Sequence, residues 1–235
     1  MNIFRRVEQK YLITSEQYNA LMEALGDKLV KDEYFYNDIY NLYLDAPDHR
    51  LIIQSIEKPM YKEKFRVRSY GLAENEDSKV YLEIKKKFGG TSHKRRISMT
   101  LGEFYKYMEK GNRPKNANPI TLAELDYDFE KYNLQPSILI NYERYSYYFR
   151  GNKDLRVTFD HNVKYRVKKP DLTNGDDMHH IIDKDMYIME IKSLDSLPIK
   201  LSQLLAKLKI YPRGFSKPKN AYLKSLERAK QKERK

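Results

Sequence analysis

The sequence predicts an α+β fold, mainly β, or an all-β barrel, with helices packed at the ends or outside of the strands. The main observation is that charged residues stand at every second position in strand-like segments along most of the chain, with helical patterns between and after them. Lys64-Phe65-Arg66-Val67-Arg68 is the clearest segment, and Leu82-Glu83-Ile84-Lys85-Lys86-Lys87 repeats its form. Arg6-Val7-Glu8-Gln9-Lys10, Leu155-Arg156-Val157-Thr158-Phe159-Asp160 and Met189-Glu190-Ile191-Lys192 do the same. Strand side chains alternate between faces, so each segment has one polar, mostly cationic face and one apolar face. An open sheet could turn its charges to water. Recurrence of the pattern, with carboxylates at intervals, points to a closed barrel whose charged faces point inward.

About eight strands are expected, near residues 4–13, 36–45, 61–70, 79–87, 93–100, 137–149, 154–167 and 185–193. Thr14-Ser15-Glu16-Gln17 is a capping box, and the apolar stripe Tyr18, Leu21, Met22 and Leu25 then runs to Gly26 as a helix. Further helices are expected near 102–110, 122–132 and 197–208, with a solvated basic helical tail over 219–235. Residues 112–119 and 169–177 read as loops, and Gly89-Gly90-Thr91 as a hairpin turn. Neither loop is long enough to mark a domain boundary, so residues 1–235 are expected to form one domain.

Composition narrows the chemistry. The chain has 235 residues and a formal net charge of +12, which favours anionic partners. It has no cysteine, which excludes disulfides, thiolate zinc sites and a cysteine nucleophile. No apolar signal segment follows Met1, and no run approaches the roughly 20 apolar residues of a membrane helix. A cytoplasmic protein with no membrane segment is expected.

The charged strand faces hold eleven cations: Arg6, Lys10, Arg66, Arg68, Lys85, Lys87, Lys94, Arg96, Arg144, Arg156 and Lys192. They hold four carboxylates, Glu8, Glu83, Asp160 and Glu190. One basic strand face is ordinarily just solvated, but the pattern recurs on seven strands. So many enclosed cations need a counter-charge, because an unpaired buried charge costs several kcal/mol. A triphosphate or a longer phosphate chain would supply it, and the arginine fork suits phosphate oxygens. Glu8, Glu83 and Glu190 make sense as oxygen ligands for Mg²⁺ or Mn²⁺.

At these residues the chain resembles the polyphosphate polymerase domain of the vacuolar transporter chaperone (VTC) proteins, within the CYTH-like triphosphate tunnel metalloenzyme superfamily. The matching segments run in family order over roughly residues 4–223. Besides those quoted above they include Lys94-Arg95-Arg96, Asn141-Tyr142-Glu143-Arg144 and Phe215-Ser216-Lys217-Pro218. The resemblance implies an eight-stranded antiparallel tunnel in which the γ-phosphate of ATP passes to a growing polyphosphate chain. By motif, Lys10, Arg66, Arg68, Lys85, Lys94, Arg96, Arg144 and Arg156 would contact phosphates, and Lys192 joins them as a binding residue. Glu190 would hold Mn²⁺ or Mg²⁺, Glu83 and Glu8 would contact the metal or orient the cations, and Lys217 would close the site. Two departures stand out: Arg6 replaces the first acid of the Glu-x-Glu-x-Lys start, and Pro218 replaces an aromatic residue. The resemblance further implies a stand-alone, bacterial version of the domain.

Other activities remain in view. The same tunnel could hydrolyse triphosphate or polyphosphate, or bind polyphosphate without catalysis. A nucleic-acid binder would need an exposed basic stripe, and no RNA-recognition signature appears. His179-His180 lacks the spacing of a zinc motif and reads as surface histidine, and Tyr142 to Tyr148 as aromatic packing.

Overall fold

The computed structural model describes residues 7–57, 59–89, 91–115, 117–194 and 196–233. In chain order these form β1 (Val7–Thr14), α1 (Ser15–Leu25), β2 (Leu29–Asp45), α2 (Arg50–Glu57), β3 (Tyr61–Tyr70), β4 (Lys79–Phe88) and β5 (Thr91–Thr100). There follow α3 (Leu101–Lys110), α4 (Pro119–Tyr132), β6 (Gln135–Phe149), β7 (Asn152–Arg166), β8 (His179–His180), β9 (Met186–Ser193), α5 (Ile199–Lys207) and α6 (Lys217–Glu233). The mainly-β α+β class is as the alternation predicts. The expected start of the first strand, including Arg6, and Gly90 of the hairpin turn lie outside the described residues.

The chain gathers into two compact units. One comprises Met1–Asp38, Tyr142–Val163 and Ile182–Ser216. Its strands lie in the order β1-β9-β7-β6-β2. The antiparallel pairing of β1 and β9 sets Lys10 opposite Glu190 and Glu8 opposite Lys192. Odd-numbered neighbours on these strands, Tyr11, Ile13, Val157, Phe159, Met189 and Ile191, turn to the other face and form a buried core with Leu21 and Leu25 of α1. The capping box holds as predicted: Gln17 N donates to Thr14 Oγ1 at 3.2 Å, and Thr14 N to Gln17 Oε1 at 3.1 Å. The tyrosine-rich part of β6 packs as expected, Tyr147 standing edge-on to Phe35 and Phe159.

The other unit comprises Ile39–Asn141, Lys164–Ile181 and Lys217–Lys235, with strands in the order β6-β2-β3-β4-β5 and β8 on the end of β7. Phe65, Val67, Leu82, Ile84 and Ile97 alternate with the charged positions and pack under Leu101, Phe104, Leu122 and Leu125 of α3 and α4. Thr100 and Glu103 make a second capping box, while Asn118 caps α4 just before Pro119. The pairing of Phe88 with Thr91 leaves a two-residue loop, and Gly89 takes φ 52°, as a tight hairpin requires.

Several boundaries differ from expectation. β2 begins at Leu29, and α2 was not expected at all. The basic tail is a helix from Lys217, with Pro218 and Ala221 buried and the Tyr222 ring tilted against His49 at 5.4 Å. His179 and His180 are half-buried in β8 rather than at the open surface. Among the described residues each ladder is a path with a free end rather than a ring. β1 ends one, where Arg213 N caps the Lys10 carbonyl at 2.7 Å, and β5 ends the other. On β5, Thr91 to Arg96 are exposed and cationic, a composition that discourages further pairing.

Candidate functional sites: two basic strand faces

In the second unit, register brings the charged positions into rows across the strands. Tyr43, Arg66, Glu83 and Arg96 form one row, and Asn41, Arg68, Tyr81 and Ser98 the next. Glu83 is the hub. Its Oε2 accepts from Arg66 Nε and Nη2, both at 2.6 Å. Its Oε1 accepts from Arg96 Nε at 2.7 Å and Lys94 Nζ at 2.8 Å. Arg66 Nη1 also reaches Tyr43 Oη at 3.3 Å, and Arg68 Nε donates to Asn41 Oδ1 at 2.9 Å. Arg96 lies over the Tyr81 ring at 4.5 Å. The Glu83 side chain is 2% exposed. Burial alone would push its carboxyl up, but Arg66, Arg68 and Lys94 outweigh that and hold it far below the usual carboxylate range. Lys94 shifts down, because burial and the nearby Arg66 and Arg96 outweigh Glu83.

The first unit repeats the theme with two carboxylates and two lysines. Glu190 Oε2 lies 3.1 Å from Lys10 Nζ, and Glu190 Oε1 lies 2.8 Å from Lys192 Nζ. Glu8 also bonds Lys10 Nζ, so two carboxylates converge on one ammonium. Burial would raise the Glu190 pKa; Lys10, Lys192 and Arg144 reverse this and hold it far below the usual range. For Lys10, burial would lower the pKa, but Glu190 and Glu8 keep it above the ordinary value. Arg144 grips Asp160 at two points, at 2.6 and 2.8 Å, and Arg156 pairs with Asp32.

These two faces differ in their fitness for a divalent cation. Among the described residues no three His, Asp or Glu side chains gather as a metal cluster. Mg²⁺ and Mn²⁺ need less protein than that, since one or two carboxylates with phosphate oxygens and water suffice. Glu8 and Glu190 meet this requirement. Thr158, opposite Glu190 in the β7–β9 register, carries a buried hydroxyl oxygen without a hydrogen-bond partner, which a hydrated cation could satisfy. Glu83 does not fit: three cations already bond it, and no second acid shares its row. There it bonds Arg66, Lys94 and Arg96.

Residues 5–226 match the VTC domain family. The chain belongs to this family. No curated protein matches it. Among solved structures, this VTC domain is similar to a candidate adenylate cyclase from Bacillus halodurans, at 14% identity and a TM-score of 0.54. That match covers 90% of this chain and 93% of the other. It is also similar to a candidate adenylate cyclase from Vibrio parahaemolyticus (11% identity, TM-score 0.45, 92% and 96% covered). The Mimivirus capping-enzyme triphosphatase is a third (13% identity, TM-score 0.35, 86% and 88% covered). The first of these shows the fold: the VTC domain has the same fold as the Bacillus halodurans protein.

The VTC domain brings together most of the residues singled out by sequence. Arg66, Arg68, Lys85, Lys94 and Arg96 share one face of the second unit, and Lys10, Arg156 and Lys192 occupy adjacent rows in the first. Lys217 opens α6 and is half-buried. The Pro218 that follows it sits in the first turn, where proline is well tolerated, and lines a small cavity with Lys64 and Asp45. Lys64 was overlooked, although its place two residues before Arg66 puts it on the same face. Tyr43, Asn41 and Asp32, which hold three of the arginines, carry no local signal.

Proposed function

We propose that this VTC domain is a metal-dependent polyphosphate polymerase that moves the γ-phosphoryl group of ATP onto the end of a polyphosphate chain. The observation that carries this reading is the pair of strand faces on which cations stand in register around a carboxylate. A terminal phosphate oxygen of the chain would form the new P–O bond as the bond to ADP breaks, and ADP would leave with the electron pair. Such transfer needs positioning and charge neutralisation rather than a protein nucleophile. On the second unit Arg66, Arg68, Lys85, Lys94, Arg96 and Lys217 would bind phosphate oxygens, and on the first Lys10, Arg144 and Arg156 would do so, with Lys192 beside Glu190. Glu190 and Glu8 would hold Mn²⁺ or Mg²⁺, which would supply positive charge to offset that of the phosphates.

Membership of the VTC family supports a polyphosphate-related or triphosphate-related activity, and the match over residues 5–226 supports treating the chain as one domain. No helix of the described residues is long and apolar enough to cross a membrane. We read the protein as cytoplasmic, with ATP and polyphosphate rather than nucleic acid as its partners.

Purified protein incubated with ATP and Mn²⁺ or Mg²⁺ tests this, with products resolved by phosphorus NMR and a polyphosphate-staining gel. Long chains with matching ADP are the expected outcome. Orthophosphate without chains would make water the acceptor and the protein a hydrolase. Tight tripolyphosphate binding without turnover would make it a binding module.

A further inference from the structure

At the Gly71 end of β3, the charged face of the second unit turns aromatic. Tyr70 stands on that face two residues past Arg68 and four past Arg66, about 7 Å and about 14 Å away at strand rise. Tyr81 lies opposite Arg68 on β4. The two tyrosine rings meet edge to face, with centroids 5.7 Å apart and planes at 78°. They are not equivalent. Tyr81 is covered by cations, the Arg96 guanidinium lying over its ring at 4.5 Å and Lys79 Nζ at 5.6 Å. Tyr70 is 46% exposed. Its hydroxyl is anchored, Oη accepting from Arg96 Nη2 at 3.4 Å. Burial would raise the Tyr70 pKa, but Arg96 and Arg68 beside the hydroxyl bring it below its ordinary value. The ring is therefore held through Tyr81 and the arginines while much of its surface stays open. A half-exposed tyrosine is ordinary on a protein surface. One fixed in orientation at the end of an arginine row has no use to a bare phosphate chain, and suits a ligand that is anionic at one end and aromatic at the other.

We propose that Tyr70 is the stacking platform for the base of a nucleoside triphosphate whose phosphates lie along the Arg66–Glu83–Arg96 row. The proposal rests on the phosphate-binding reading above and deepens it by giving the nucleoside a subsite of its own. With the triphosphate running along β3 toward Gly71, the ribose spans the step from Arg68 to Tyr70 and the base meets the open ring. Stacking accepts any base, because every base has a π-face. ATP and GTP should therefore bind alike, and the subsite selects for the presence of a base rather than for its identity. Tyr81 and Arg96 hold the Tyr70 ring in one orientation before the ligand arrives, so little side-chain freedom is lost on binding.

Calorimetry at fixed ionic strength compares β,γ-imido ATP, whose bridge is not cleaved, with tripolyphosphate on the wild type, Tyr70→Leu and Tyr70→Phe. Tyr70→Leu is expected to weaken the ATP analogue about tenfold, the size of a lost base–aromatic contact, and to leave tripolyphosphate within about twofold. Tyr70→Phe keeps the ring and should bind both ligands nearly as the wild type does. The GTP analogue should follow the ATP analogue in all three proteins. Equal loss for both ligands in Tyr70→Leu would make Tyr70 part of the phosphate row, and no loss for either would make it plain surface; both outcomes overturn the platform. A loss in Tyr70→Phe as large as in Tyr70→Leu would assign the contact to the hydroxyl and overturn it too. If Tyr70→Leu fails to fold, proton NMR of the wild type decides. Stacking moves the adenine H2 and H8 resonances of the bound analogue upfield, and unshifted resonances overturn the platform. The two readings fail separately. Base stacking without polyphosphate synthesis from ATP would leave the platform and remove the polymerase reading. Synthesis with an ATP affinity indifferent to Tyr70 would do the reverse.

Discussion

Arg144 and Asp160 meet as a two-point ion pair across β6 and β7, Nε to Oδ1 at 2.6 Å and Nη2 to Oδ2 at 2.8 Å. Their side chains are 18% and 2% exposed, so the pair is largely removed from water. It fixes the plane of the guanidinium, and burial, which would lower the Arg144 pKa, is outweighed by Asp160. The acid here positions a cation rather than a metal.

Breaking that pair from one side should be expensive. Asp160→Asn is expected to cost about 3 kcal/mol or more, because a guanidinium is left buried without its counter-charge. Urea unfolding measures it. Adding Arg144→Met to the first change should recover part of the loss, since no charge is then stranded.

Glu190→Gln separates two roles. Removing this acid leaves Lys10 and Lys192 less neutralised, so tripolyphosphate binding without metal should be retained or strengthened. Metal-stimulated binding and turnover should disappear. Titrations with and without Mn²⁺ decide it, and unchanged turnover would take Glu190 out of the mechanism.

Acid should find the same carboxylates. Glu83 and Glu190 have pKa values held far below their ordinary 4.5 in the folded protein. Such a group adds stability that is complete above its unfolded value and lost as pH falls through the folded one. The melting temperature should therefore fall as pH drops below about 4.5, and Glu83→Gln should flatten that acid limb. Lys86 works in the opposite sense: its pKa is raised, so its contribution is complete below 10.5 and lost at higher pH.

Arg66→Ala should weaken tripolyphosphate binding about tenfold to a hundredfold, the equivalent of about 1.5–3 kcal/mol for a charge-assisted contact. Arg66→Lys should recover only part of this, because an ammonium cannot make the guanidinium's paired contact. Calorimetry reads both, and a loss of under about 1 kcal/mol would mean that Arg66 does not meet the ligand.

Helix α2 shows where local reading failed. Leu51, Ile52 and Ser55 are buried at helical spacing, yet the Leu-Ile-Ile run is rich in β-branched residues. Its N–H groups are satisfied by Asp45 at the end of β2, which bonds Leu51 and Ile52 at 3.0 Å each. An acid on the preceding strand stabilises the helix, and the intervening turn hides the relation.

Alternation by itself determined which side chains share a face: Arg66 with Arg68, Glu83 with Lys85, Glu190 with Lys192, and the apolar residues between them. A strand reverses its face at every residue, so this follows from position alone. Tertiary structure alone decided which of these meet. Alternation is unchanged when a strand slides by two residues, so it could not distinguish Arg66 facing Glu83 from Lys64 facing Glu83. Register made Glu83 the hub of three cations and set Glu190 and Glu8 around Lys10. The β1–β9 pairing joins strands distant in sequence, and the energy of all these pairings comes from burying charge beside charge, which no single strand contains.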